Sequence, residues 1–447
     1  MKNIREQFDE HFSKENLTRV FQDIIIYSGG TGIDNINQYT FRNQQKEQIE
    51  IISRKMKSGS YTFTKYKLSL ISKGRGKPPR EISIPTVRDR ISLRAMCEFL
   101  QKRFSDSVNI ELPQSVIKKI KSGLETGVYD GYVKLDVSNF YPSIDHTLLE
   151  KQLNKRLRNY PDIKRVIFSA IKSPTVTSSK KDDKPSELGV PQGLAISNIL
   201  AAIYLQDLDK LLSKIPNALG FRYVDDILIL CRHENAEEIA SLFIGKYKDS
   251  NLAIHCPKEM PHKSKVSKIS EGFDYLGYQF DSFEISVKKA NIEKLKESLV
   301  GIFTSYKYSE RQSKDFLTWR INLRITGCVF EDKCKGWLFF YSEINDEKIL
   351  HKLDYYVSKL CKRFGVDINP KKFVKAFFEI SHRKKQTKYV PNFDSFTLED
   401  KGKVLEKYFG YKLKGMRQDQ VEYAFHRKVN RQVKDLESDI KDFSASG

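Results

Sequence analysis

Phe221-Arg222-Tyr223-Val224-Asp225-Asp226-Ile227-Leu228-Ile229-Leu230 places two adjacent carboxylates between apolar runs. The β-branched and aromatic residues on either side predict two strands of a hairpin, with Asp225 and Asp226 at its turn. Fold physics alone does not ask for two like charges at the tip of a buried hairpin, because they repel and each resists leaving water. A divalent cation removes the conflict. An ordinary solvated Asp-Asp turn is the competing reading, and the surrounding chain decides between the two.

Upstream, Tyr132 to Val137 is a strand by content and alternation; it delivers Asp136 at its end, close to the aromatic pair Phe140-Tyr141. Leu188-Gly189-Val190-Pro191-Gln192-Gly193 reads as a turn punctuated by Pro191 and Gly193, and Ser197 through Leu212 then has helical periodicity. Downstream, Ile269 to Phe280 reads as a second hairpin or a strand pair. Between Ile51 and Arg80 there are nine Lys or Arg residues and no Asp or Glu, with Tyr61, Phe63 and Tyr66 interleaved. A solvated face is the competing reading, but such faces usually mix signs. An unmixed basic stretch with aromatics suits phosphate contacts and base stacking. Within it Thr62 to Leu68 alternates like a strand. Lys77 and Arg80 then sit in a basic loop leading into a short strand closed by Pro85, and Thr86 to Phe104 reads as a helix.

The 447 residues allow several domains and a large core. Apolar residues make up 39% and charged residues 30%, which suits a globular chain rather than a disordered one. No run approaches a membrane span, and residues 1–7 lack a signal-type apolar segment, so a cytoplasmic location is the expectation. Six scattered cysteines form no C-x-x-C pair, which suggests neither a zinc site nor a disulfide framework. The net charge of +21 favours a polyanionic partner, most simply nucleic acid. Ser28 to Asp34 interrupts a largely helical N-terminus without a following Gly-Lys-Ser/Thr, so it is read as a loop before a helix over about 41–57. Beyond about 288 the pattern is mainly helical and basic, and the last helix carries Arg427, Lys428, Arg431 and Lys434.

A strand ending in Asp136, a Pro-Gln-Gly turn entering a helix and a Tyr-x-Asp-Asp hairpin, in that order, resemble the palm of reverse transcriptases. Arg80-x-Ile82-x-Ile84-Pro85 with Asp89-Arg90-Ile91 resembles the fingers motif of group II intron and retron-type enzymes. Phe273-x-Tyr275-Leu276-Gly277-Tyr278 resembles their primer-grip strand. Beyond about 290 no RNase H, HNH endonuclease or maturase pattern is recognisable, and in character the chain is most similar to bacterial defence-associated and abortive-infection reverse transcriptases.

The resemblance implies an α+β right-hand polymerase with fingers, an antiparallel-sheet palm, a helical thumb and a basic helical C-terminal region. The expected divisions are an N-terminal helical extension over 1–60, fingers over 61–125, palm over 126–285 with a fingers-side insertion at about 150–188, thumb over 286–385 and the basic region over 386–447. It implies an RNA-directed DNA polymerase in which two Mg²⁺ ions, with Mn²⁺ a possible substitute, lie roughly 3.5–4 Å apart between attacking and leaving oxygens. Asp136, Asp225 and Asp226 would be the catalytic carboxylates, and the Val137 carbonyl would complete one metal. Lys77 and Arg80 match cations on the incoming triphosphate, although Lys73 and Arg75 compete with Lys77. Gln192 matches a residue beside the nucleotide, and Tyr141 matches an aromatic gate against the 2′-hydroxyl, with a core aromatic the competing reading. Lys263 is a candidate general acid for the departing pyrophosphate; Lys258, Lys265 and a plain surface role compete. Tyr275, Leu276 and Gly277 would belong to the primer grip, and Arg427, Lys428, Arg431 and Lys434 would hold RNA. The implied partners are a structured RNA template, dNTPs and nascent DNA, with a companion defence protein or a second copy of the chain also open and no membrane. The rivals are a retron or intron-derived enzyme and, in another class, a catalytically idle RNA-binding scaffold.

Overall fold

A computed structural model describes residues 3–72, 78–108, 111–180, 183–310, 312–383, 387–437 and 440. The chain divides into two compact units. One holds residues 1–111 and 129–267, the other 112–128 and 268–444. Both α-helices and antiparallel sheets are present, so the α+β class holds.

The first unit is built around the strand Gly131–Ser138. Tyr132, Val133, Leu135 and Val137 on it are buried, and strands on both sides complete its hydrogen bonding. On one side lies Asp226–Cys231, paired antiparallel and followed by the edge strand Leu219–Tyr223; on the other lie Ala253–Ile254 and Lys265–Lys268. Ile227 to Leu230 are wholly buried, the pattern of a strand covered on both faces. Helices Ser197–Leu212 and His233–Asp249 belong to the same core. Gly131 is required where the strand begins, since a Cβ there would come within 2.5 Å of the His233 backbone.

A smaller sheet carries Arg80–Ile84 against Tyr66–Ile71, with Thr175–Val176 on the far edge. Three expectations are corrected here. The strand starts at Tyr66 rather than Thr62, because the preceding backbone is taken by side chains: Thr64 N donates to Asp89 Oδ2 at 3.1 Å. Tyr61 and Tyr66 do not face a base. Both are buried, with Tyr61 donating to Asp89 Oδ1 at 2.7 Å and Tyr66 to the Ala170 carbonyl at 2.8 Å. The helix expected over 41–57 is two helices, Gln38–Arg42 and Gln45–Lys57; Asn37 caps the first, and its side chain takes the Tyr39 and Thr40 N–H groups. The helix Val87–Arg103 is N-capped by Thr86, whose hydroxyl accepts from Asp89 N at 3.2 Å, and Phe99 on it packs edge-on against Phe8 of the N-terminal helix Ile4–His11.

The second unit takes in the helix Pro113–Glu125, a meander of Phe273–Tyr275, Tyr278–Asp281 and Glu284–Val287, and a run of helices beyond it. The helical reading beyond 288 missed one hairpin, Cys328–Phe330 with Lys333–Lys335. Gly327, with φ +64°, turns the helix Lys314–Thr326 into it; a Cβ there would meet the Lys335 carbonyl at 2.3 Å. The final helix, Gln418–Leu436, lays Val421, Phe425, Val429 and Val433 against Phe330, Phe393 and Leu405.

Candidate active site

Antiparallel pairing sets Asp136 opposite Asp226, and Tyr223 opposite Asp226 on the other side. Val224 and Asp225 are therefore the two-residue connection of the hairpin. Val224 has φ +55°, a conformation that a β-branched residue rarely takes and that costs about 1–3 kcal/mol. Arg222 accounts for its persistence. It donates through Nη1 to the Val224 carbonyl at 2.7 Å and through Nε and Nη2 to both oxygens of Asp209, on the helix Ser197–Leu212.

Asp136 is held from three directions. Its N–H donates to Ser264 Oγ at 3.0 Å, and its carbonyl accepts from His255 N at 3.1 Å. Its Oδ2 lies 3.2 Å from Lys263 Nζ and 3.3 Å from His255 Nε2. Val137 is buried beside it and pairs with Ile254. Burial first, and then repulsion from Asp225 and Asp136, hold the Asp226 carboxyl well above the usual carboxylate range. Asp225 is raised too, chiefly by burial with a further push from Asp136.

The carboxylates thus carry repulsion that Lys263, Arg80 and Lys134 offset only in part and that a hard cation would relieve further, and their oxygen donors suit magnesium. Among the described residues no group of three or more carboxylate, imidazole or thiol side chains stands arranged as a ready-made metal site. Magnesium does not require one, because it keeps waters and takes one or two carboxylates together with substrate phosphates. The residues fit the ion on that basis.

Tyr141 follows Asp136 in a single 3₁₀ turn, Tyr141–Ser143. Burial, followed by the Asp225 charge, pushes its phenol far above the ordinary range, so it stays protonated and donates to Asn198 Oδ1. Asn198 lies in the first turn of the helix Ser197–Leu212. The Pro-Gln-Gly turn rests on the Arg80 strand: Ser83 N donates to the Gln192 carbonyl at 2.7 Å. Gly193, at φ +98°, leaves room for Ile82 Cγ2, which would stand 2.7 Å from a Cβ. Arg80 is exposed at the start of its strand, and its charge acts on both Tyr141 and Asp225. Lys263 likewise acts on Asp225 and Asp226. Asp136, Asp225, Asp226, Tyr141, Gln192, Arg80 and Lys263 are all carried by the first unit. Lys77 lies outside the described residues. Arg222, Asp209, Asn198, His255 and Ser264 were missed from the sequence; only Arg222, beside the motif, offered a local signal.

The reverse transcriptase (RNA-dependent DNA polymerase) family profile matches residues 71–280, which contain both the Asp136 strand and the Asp225-Asp226 hairpin. Residues 71–280 belong to the reverse transcriptase family. The group II intron-encoded protein LtrA of Lactococcus lactis subsp. cremoris is 25% identical over 349 residues, covering 71% of this chain and 56% of LtrA. Protein YkfC of Escherichia coli (strain K12) is 26% identical over 297 residues, covering 56% of this chain and 75% of YkfC. The chain thus spans little more than half the length of LtrA. A solved telomerase from Candida albicans, in complex with a TWJ fragment of telomeric RNA, shares 14% identity; the match covers 86% of this chain and 69% of that one at a TM-score of 0.45.

The reverse transcriptase match ends at 280, inside the second unit's meander. Tyr275 closes one strand and Tyr278 opens the next, so Leu276 and Gly277 form a tight turn rather than a strand, with φ +47° and +81°. The Gly277 carbonyl accepts from Lys288 N at 3.0 Å. In the last helix Arg427, Arg431 and Lys434 are exposed and share one side. Lys428 is partly covered, its ammonium 5.7 Å from the Phe409 ring centre and 5.6 Å from that of Tyr411.

Proposed function

We propose that this reverse transcriptase chain is an RNA-directed DNA polymerase that adds deoxynucleotides to a 3′-hydroxyl. The observation that carries the reading is the placing of Asp136 directly opposite Asp226, with Asp225 in the adjoining turn. Two bound Mg²⁺ ions would supply Lewis-acid activation of the attacking hydroxyl and neutralise charge on the leaving pyrophosphate. Asp136, Asp225, Asp226 and the Val137 carbonyl would hold them. Arg80, with Lys77, binds the triphosphate; Gln192 lines the nucleotide's place; Tyr141 excludes a 2′-hydroxyl. Lys263, 46% exposed and within reach of Asp136, gives up a proton to the departing pyrophosphate. In this reading residues 61–125 act as fingers, 126–285 as palm and 286–385 as thumb. Tyr275 to Gly277 support the primer, and Arg427, Lys428, Arg431 and Lys434 hold a structured RNA.

The test is Asp225→Asn, which keeps shape and removes a negative ligand. DNA synthesis on a primed RNA with Mg²⁺ should fall by several orders of magnitude while the fold survives. Synthesis near the parent rate by a folded variant would sink the metal assignment, whereas RNA binding without any synthesis by the parent protein would favour an RNA-binding scaffold. A dedicated RNA in bacterial antiviral defence is the setting that the sequence resemblance suggests. Phage plating on cells carrying the parent or Asp225→Asn would separate that setting from a retron or intron-derived role.

A further inference from the structure

We propose that Arg222 and Asp209 are a positioning brace that fixes where the Asp225 carboxylate stands, and thereby the rate of nucleotide addition, without touching substrate. The proposal rests on the reading of Asp225 as a metal ligand. Its starting point is Val224, whose left-handed φ of +55° persists only if its surroundings over-determine it. The peptide joining Val224 to Asp225 is planar, so fixing the Val224 carbonyl also fixes the plane on which the Asp225 Cα lies. That carbonyl accepts from Arg222 Nη1 at 2.7 Å. The other face of the same guanidinium grips both oxygens of Asp209. The Arg222 side chain is only 9% exposed, so solvent competes little for these bonds. Asp209 in turn sits on Ser197–Leu212, a helix with eleven buried residues, which makes a rigid anchor. A guanidinium is the side chain that can serve a carboxylate fork and a separate carbonyl at once; a lysine ammonium has no such fork.

The experiment compares Arg222→Lys and Asp209→Glu with the parent, using full-length protein, a primed RNA and dNTPs, below the unfolding midpoint of every variant. Both substitutions keep charge; Arg222→Lys removes the fork, and Asp209→Glu displaces its carboxylate by one methylene. The expected result is a kcat lower by about ten- to a hundredfold, with KM for dNTP within about twofold. The decisive arm is Val224→Gly, because glycine takes positive φ without strain. Combined with Arg222→Lys, it should recover part of the lost kcat, and it should do so more than it raises the parent's rate. Two results overturn the brace: an unchanged kcat in Arg222→Lys, or a loss that Val224→Gly leaves untouched, which would mark a general packing defect. Asp225→Asn, run alongside, separates the premises. If it remains active, the ligand reading fails; if it is inactive while Arg222→Lys is normal, the brace alone fails.

Discussion

The Tyr141 hydroxyl donates to Asn198 Oδ1, and its ring, tilted against Phe140 at 5.4 Å between centroids, lies within the field of the Asp225 charge. If that ring is what a ribose 2′-hydroxyl would strike, Tyr141→Ala should admit ribonucleotides. Asn198→Ala and Tyr141→Phe should each relax the choice more modestly, since one hydrogen bond of about 1 kcal/mol corresponds to roughly a fivefold change. The measurement is the ratio of kcat/KM for dNTP and rNTP in the parent and the three variants. A ratio unchanged in Tyr141→Ala returns the ring to the core. At this scale the carboxylates were legible in the sequence, because two charges flanked by Ile-Leu-Ile-Leu and Phe-Arg-Tyr break a local rule. Asn198, Asp209, His255 and Ser264 were not. Each is an ordinary residue in its own stretch, and its importance exists only through a partner that the fold brings near.

Among the elements, the helix Val87–Arg103 depends on one buried carboxylate. Asp89 accepts from Tyr61 Oη, Thr64 N and Thr86 Oγ1, tying together the approach to the first strand and the helix start. Burial outweighs those bonds and holds its carboxyl above the usual range. The folded state therefore binds the proton more readily than the unfolded chain. This contribution to stability is full below the ordinary aspartate value and is lost as pH rises through the raised one. Asp89→Asn removes that titration and turns an amide donor toward groups that themselves donate, at about 1–3 kcal/mol. Urea midpoints of the full chain should fall in the variant, by more at pH 4 than at neutral pH; an equal deficit at both would exclude the linkage. The strands and long helices were legible because their periodicity is local. The late start of Tyr66–Ile71 was not, because alternation over 62–65 is overridden by Asp89 reaching the backbone. Tyr61 and Tyr66 misled for a related reason: basic neighbours do not reveal that an aromatic ring points inward.

Across the whole molecule a charge of +21 remains to be neutralised. Arg427, Arg431 and Lys434 lie exposed along one side of the last helix, and the partly covered Lys428 lies over two rings. Replacing the first three by Gln should lower RNA affinity and flatten its dependence on log salt by up to about 0.9 per lost contact, and Lys428→Gln should add less. Affinities measured across a salt series test this, and an unchanged slope would make the helix a solvated or protein-binding face. The central strand carries one more consequence, in time rather than space. Among the described residues Gly131–Ser138 finds its strand partners in residues 226–231, 253–254 and 265–268, with His255 and Ser264 adding bonds at Asp136. During synthesis the strand bearing Asp136 therefore leaves the ribosome long before anything can pair with it. Its apolar side chains and both edges must wait, a state prone to misassociation. Slowing translation at about residue 200, once the strand has cleared the ribosome and before its partners have, should prolong that wait and lower soluble yield, while a pause placed beyond about residue 320 should not.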